Sequence, residues 1–273
     1  MLQARSWLPR TEGSVGIELA CRDGQTVLAT LHQAGAARAR FPRRRAGPLE
    51  AVLLNTAGGL TGGDRIDLQV RLAAGAQATV TTAAAEKIYR ASEEDETEIS
   101  VRLALDTRSR LAWLPQPTIL FDRSRLNRRC FVELSGDATF LAVETLIFGR
   151  MAMGEDVRQG ACRDAWRVRR DGALVFADTF RANGPVADML DRPATLDGAR
   201  AVAMLLYIAP DADIRIDKAR MLLDSPGMSA GASTWEGILL VRAMARDGHT
   251  LQRQIAPLAE WLSGHPLPQV WQC

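Results

Sequence analysis

The chain has 273 residues, 47% of them apolar and 24% charged, which is the balance of an ordinary globular protein. That composition excludes a disordered chain, a collagen-like chain and a disulfide-dense mini-protein. The 34 Lys and Arg against 32 Asp and Glu leave a net charge of +2, so no strong field draws the protein to nucleic acid or to a membrane surface.

Strand patterns dominate the first two-thirds. Residues 17–21 and 27–31 are two extended runs split by Asp23-Gly24, a pair that supplies the positive φ angles of a tight hairpin turn. Further on, Ile66, Leu68, Val70 and Leu72 alternate with polar residues, and Ile99, Val101, Leu103 and Leu105 do the same. Such period-two patterns put one face in a core and the other in solvent. Gly75 and Gly136 punctuate further strand pairs, and Asp171-Gly172 marks a second hairpin between residues 166–168 and 174–176. No convincing helix interrupts residues 15–180. A doubly wound parallel sheet needs helices between its strands, so stacked or coiled β-layers are expected instead. No fixed-period repeat stands out, so a regular solenoid is not indicated.

The last third is mixed α and β. Residues 213–224 carry apolar positions at helical spacing, and Pro226-Gly227 ends the run. Residues 238–241 form an apolar stretch expected to be a buried strand. Leu251, Ile255, Leu258, Ala259 and Leu262 form a second helical stripe over 250–263, with Thr250 as its expected cap. Pro257 lies inside that stripe, so the helix is expected to kink or to start later. The division is thus a β-rich body over 1–185 and a mixed part over 186–273 packed on it as one structural unit.

No stretch reaches the ~18 uninterrupted apolar residues of a membrane span. The start, Met1 to Pro9, lacks the apolar segment of a secretory signal, so a cytoplasmic protein is expected. Cys21, Cys130, Cys162 and Cys273 form no CxxC pair and are read as free thiols, the terminal Cys273 having no evident role.

Chemistry is hard to find. The glycine-rich segment Asn55-Thr56-Ala57-Gly58-Gly59-Leu60-Thr61-Gly62-Gly63-Asp64 ends without the Lys-Ser/Thr of a phosphate loop, and a strand follows it where a dinucleotide fingerprint needs a helix. Two readings stay open: a tight loop between strands, or a functional loop presenting Asp64. His32, His249 and His265 are scattered and lie near no Cys pair, so metal-site spacing is absent. No nucleophile elbow and no catalytic Cys motif is present. Carboxylates do recur beside strand ends and glycines: Asp64, Glu144, Glu155 and Asp178. They could do general acid–base work, bond backbone or Arg150, or offer oxygens to a passing cation. The basic runs Arg38, Arg40, Arg43, Arg44, Arg45 and Arg123, Arg125, Arg128, Arg129 and the acidic run Glu93, Glu94, Asp95, Glu96, Glu98 read as solvated loops. Opposite runs on one chain also suit docking by complementary charge.

Leu53-Leu54 together with the glycine-rich segment resembles the signature of the urease accessory protein UreD family, called UreH in some bacteria. Three more segments match the family pattern in order. They are Thr81-Thr82-Ala83-Ala84-Ala85-Glu86-Lys87-Ile88-Tyr89-Arg90, Leu114-Pro115-Gln116-Pro117-Thr118-Ile119-Leu120-Phe121, and residues 144–155 with Phe148-Gly149-Arg150 and Gly154-Glu155. The ending Pro268-Gln269-Val270-Trp271 is similar too. One departure is Ala83, where the family often has Gln. The resemblance runs from about Gly13 to the end, strongly over 50–155 and loosely beyond 185.

The resemblance implies a mainly β fold, a distorted right-handed β-helix-like body with helices in its C-terminal part. It also implies a non-catalytic maturation factor for the nickel enzyme urease. Such a factor binds apo-urease and UreF, and through UreF the GTPase UreG, and it passes Ni²⁺ through a polar tunnel with no tightly bound cofactor. Carboxylates and waters would bind such a cation weakly enough to let it go. Asp64 and Glu144 are the foremost expected tunnel-lining residues, followed by Glu155 and Asp178, with Arg150 orienting an acid. Lys87 and Tyr89, with Glu86, are supporting residues or a structural cluster. Two alternatives remain: a carboxylate-dependent enzyme on a β-helix-like scaffold, and a pure scaffold through which no metal passes.

Overall fold

A computed structural model describes residues 10–43, 47–92, 95–150 and 153–272. Met1 to Pro9, Arg44, Arg45, Glu93, Glu94 and Cys273 lie outside the described residues. The body is built from β1 (Glu12–Arg22), β2 (Gln25–Gly35), β3 (Ala37–Arg40), β4 (Leu49–Asn55), β5 (Arg65–Leu72), β6 (Gln77–Thr82) and β7 (Glu86–Ile88). It continues through β8 (Thr97–Leu105), β9 (Arg110–Leu114), β10 (Thr118–Leu120), β11 (Arg125–Leu134), β12 (Thr139–Phe148), β13 (Gly160–Arg170) and β14 (Ala173–Gly184). The C-terminal part holds α1 (Val186–Asp191), β15 (Ala201–Ile208), α2 (Ile216–Leu223), β16 (Met228–Trp235), β17 (Ile238–Ala245) and α3 (Gly248–Ser263).

The strands form two facing sheets. The first has the order β14-β13-β11-β8-β5-β1-β2, and the second runs β16-β17-β15-β12-β9-β6-β4-β3 with β10 and β7 attached beside β12. From β4 to β13 the chain alternates between them, and within each sheet the successive strands pair in parallel. The result is a solenoid of coils joined by short connections. Its coils are unequal: Arg65 pairs with Glu98, Glu98 with Asn127, and Asn127 with Arg163, offsets of 33, 29 and 36 residues. A repeat of varying length leaves no fixed period in the sequence.

Both Asp-Gly hairpins form. Asp23 and Gly24 have φ of 51° and 75°, and Asp171 and Gly172 have 49° and 82°. That is the paired left-handed backbone needed to match the twist of the flanking strands β1–β2 and β13–β14. The alternating runs around Ile66 and Ile99 are β5 and β8, and among the described residues no α-helix precedes α1.

Two cores result. Inward side chains of both sheets, among them Leu103, Leu105, Phe140 and Trp166, fill the space between the sheets. The outer face of the second sheet is covered by α3, whose Leu251, Ile255, Leu258 and Leu262 pack with Leu141, Val143, Leu205 and Val241. The middle strand β12 is therefore buried on both faces. Strand β15, with no alternation in Leu205-Leu206-Tyr207-Ile208, joins β12 to β17, so the C-terminal strands extend the same sheet.

Helix α3 corrects two expectations. Its cap is Asp247, not Thr250: the Asp247 carboxylate accepts from the Thr250 backbone N–H at 2.7 Å and from the Thr250 hydroxyl at 2.9 Å. The helix also starts earlier than Thr250 and runs past Pro257. Pro257 removes one backbone bond, but the buried apolar stripe on both sides of it holds the helix together.

Candidate functional site

The four sequence motifs meet along one side of the solenoid. Strand β10 pairs with β7 and with the end of β12, setting Thr118 beside both Glu86 and Leu146. The 55–64 loop lies on β7: the Leu60 N–H donates to the Lys87 carbonyl at 2.8 Å and the Tyr89 N–H to the Leu60 carbonyl at 2.7 Å. The Asn55 amide donates to both Glu86 carboxylate oxygens, at 3.1 and 3.2 Å. Burial raises the Glu86 carboxyl above its ordinary range, and the Asn55 hydrogen bond opposes that rise. The Tyr89 ring packs on Phe121 at 4.9 Å between centroids, its hydroxyl donates to the Gly58 carbonyl, and Arg150 lies over the other aromatic partner, Phe121, at 4.5 Å. Lys87 is exposed and contributes its backbone carbonyl to the ladder.

Asp64 and Glu155 belong to this framework. Asp64 is 4% exposed, and its two oxygens accept backbone N–H groups of Thr11 at 2.7 Å and Thr61 at 2.8 Å. Glu155 pairs with the Arg150 guanidinium at 2.6 Å, closing the turn after β12, and accepts weakly from the Asp122 N–H.

Glu144 and Asp178 come together elsewhere. Both line a cavity of about 470 Å³ between the two sheets, at the end where β14 faces β16 and β17. Asp178 stands toward the opening, where it meets Arg242 of the opposite sheet at 2.8 Å. Phe176 and Trp235 stack across the same gap. Glu144 lies deeper, 6% exposed, and beside it the cavity wall includes Asp164, also 6% exposed.

Between these two deep acids stands Arg128, 5% exposed. It holds Asp164 by a two-point pair, Nη2 to Oδ2 at 2.7 Å and Nε to Oδ1 at 3.0 Å, and its Nη1 donates to Thr118 Oγ1 at 3.0 Å. The same Nη1 is 2.5 Å from Glu144 Oε1, yet it is poorly aimed, and that oxygen accepts no properly directed hydrogen bond. Burial pushes the Glu144 carboxyl up to about 7; the Arg128 guanidinium opposes the rise and Asp164 adds to it. Burial alone would depress the Arg128 guanidinium, but Asp164 and Glu144 hold it above its ordinary value. The buried indole N–H of Trp113 lies close enough to Glu144 to oppose the rise of its carboxyl, and the buried indole N–H of Trp166, on the cavity wall, has no hydrogen-bond partner. Among the described residues no three His, Cys, Asp or Glu side chains are grouped so as to hold a metal ion on their own.

Arg128 corrects the reading of its basic run as a solvated loop. From Arg125 on the run lies on β11, and the pleat sends Leu126, Arg128, Cys130 and Val132 inward while Arg129 points to solvent. Asp164 was absent from the expected site residues. Both carried a legible signal: each is a charged residue standing at an apolar position of a period-two strand, as in Cys162-Arg163-Asp164-Ala165-Trp166.

The family model described as UreD urease accessory protein matches residues 11–272. The chain belongs to the UreD family of urease accessory proteins. Proteins named urease accessory protein UreD resemble it along more than nine-tenths of their length. The one from Xanthobacter autotrophicus is 48% identical over 267 residues, covering 98% of this chain and 92% of its own. That of Methylobacterium sp. is 48% identical over 269 residues, covering 96% and 95%. That of Azorhizobium caulinodans is 44% identical over 262 residues, covering 96% of each. Among the described residues of this family member no helix is long and apolar enough to cross a membrane.

Proposed function

We propose that this chain is a non-catalytic maturation factor that docks on apo-urease and on UreF, reaches UreG through UreF, and passes Ni²⁺ toward the urease active site in the cytoplasm. Membership of the UreD family supports the urease role. The observation that carries the metal path is the inter-sheet cavity with Asp178 near its mouth and Glu144 and Asp164 within. Carboxylate oxygens bind a borderline cation weakly and exchange it quickly, whereas thiolates would retain it. Each of these acids already has an arginine partner, which lowers its hold on a metal further. The free state of the three described cysteines accords with a reducing compartment. In this reading Asp64, Glu155, Arg150, Lys87 and Tyr89 shape the docking face and the coil turns.

The test is urease produced together with Glu144→Gln or Asp178→Asn forms of this chain. Nickel per urease active site is measured by atomic spectroscopy, and co-purification of urease subunits and the UreF partner is followed beside it. Nickel content falls while the complex persists. Urease loaded to the wild-type level by both variants would leave a scaffold through which no metal passes.

A further inference from the structure

Arg128 stands beside two acids of the cavity wall, and the passage reading does not use it. We infer that Arg128 is an internal counter-cation whose charge a travelling divalent cation must displace or oppose, and that it keeps the deep acids from retaining the metal. The inference rests on the nickel-passage reading of the cavity and adds the control of release to it.

Glu144 and Asp164 are two buried carboxylates sharing one buried guanidinium. Arginine cannot shed its proton in a protein, so its charge is permanent. With Arg128 in place the ionised cluster carries one negative charge. A dication arriving beside Arg128 makes the cluster net positive in a poorly solvated interior, where such an imbalance is costly. With Arg128 removed, the same dication would just neutralise the two acids and would stay.

The attachment of Arg128 is also lopsided. It is fixed to Asp164 by two well-directed bonds and to Thr118 by a third. Toward Glu144 it offers a close charge contact, 2.5 Å to the buried Oε1, in place of a two-point grip, while the residue lines the cavity. A cation that reaches Glu144 on the cavity wall therefore meets the repulsion of Arg128 at the same point. Such a site returns a metal readily.

The experiment is equilibrium dialysis of the purified full-length chain against Ni²⁺ at fixed pH and salt, with circular dichroism to establish folding. Arg128→Gln binds Ni²⁺ at least about tenfold more tightly than the wild type, the direction set by removing a unit charge at contact distance. The double variant Arg128→Gln/Glu144→Gln loses that gain, and Arg128→Gln surrenders nickel to a competing chelator more slowly. Folded Arg128→Gln that binds nickel no more tightly than the wild type overturns the inference. Should Arg128→Gln fail to fold, Arg128→Lys decides. Its ammonium keeps the unit charge, so nickel binding stays within about twofold of the wild type; a gain of about tenfold with the charge retained overturns the inference. If Glu144→Gln leaves urease loading intact, the passage reading fails. If Glu144→Gln blocks loading while Arg128→Gln binds no tighter, only the counter-cation role fails.

Discussion

Asp64→Ala separates a metal group from a structural one. The Asp64 carboxylate is almost wholly buried, and both oxygens are engaged by backbone: Oδ1 by the Thr11 N–H at 2.7 Å, Oδ2 by the Thr61 N–H at 2.8 Å. One bond closes the 61–64 turn, which the Asp64 N–H also closes from the other side on the Thr61 carbonyl. The other ties that turn to the chain entering β1, across 53 residues of sequence. Truncation leaves both N–H groups unpaired. Each costs about 1–3 kcal/mol, so the loss is about 2–6 kcal/mol. For a chain of this size that lowers the thermal midpoint by roughly 5–15 °C. Asp64→Asn keeps one acceptor and turns an amide donor toward the other N–H, so it falls between the wild type and Ala. The assay is urea and thermal unfolding followed by circular dichroism, with Ni²⁺ dialysis on the folded protein. Stability within about 0.5 kcal/mol of the wild type together with lost nickel binding would refute the reasoning and return Asp64 to the metal path.

The remaining predictions concern a cap and a close approach. Asp247→Ala costs about 1 kcal/mol at neutral pH in urea unfolding, because the N-terminal turn of α3 loses its carboxylate acceptor. The Thr250 backbone bond holds the Asp247 carboxyl below its usual 3.8, against a smaller opposing effect of burial. The folded state therefore binds fewer protons than the unfolded one. The carboxylate's extra contribution is full above 3.8 and is lost as pH falls through the lower folded value. The gap between wild type and Asp247→Ala should narrow in that acidic window; a gap widening on acidification contradicts the assignment. Gly59→Ala destabilises by about 1–3 kcal/mol in the same assay. Gly59 has φ of 151°, and an added Cβ would lie 2.3 Å from Tyr89 Cε2 and 3.0 Å from the Lys87 carbonyl oxygen. A neutral Gly59→Ala would mean that the 55–64 loop is not pressed against β7.

Local rules settled much of this protein before any coil was closed. Alternating apolar residues marked β5 and β8, Asp-Gly pairs marked both hairpins, and the apolar stripe marked α3. Each of these depends on residues a few positions apart, so the sequence suffices. The four ordered motifs carried the family in the same linear way, and the match over residues 11–272 bears it out. Strand β15 was missed because burial on both faces erases alternation. The candidate site was legible only by halves. Glu144 lies on β12, which is buried on both faces and shows no alternation, whereas that Arg128, Asp164 and Asp178 stand among inward apolar neighbours could be read from strand periodicity. Which of them meet could not, because that depends on three successive coils of unequal length stacking in register. Asp64 and Glu144 show the same division: identical chemistry in the sequence, but one is spent on backbone amides and the other faces a cavity. Local sequence fixes the face a side chain takes, whereas the partner it finds there is set by the closure of the chain over a distance no local pattern encodes.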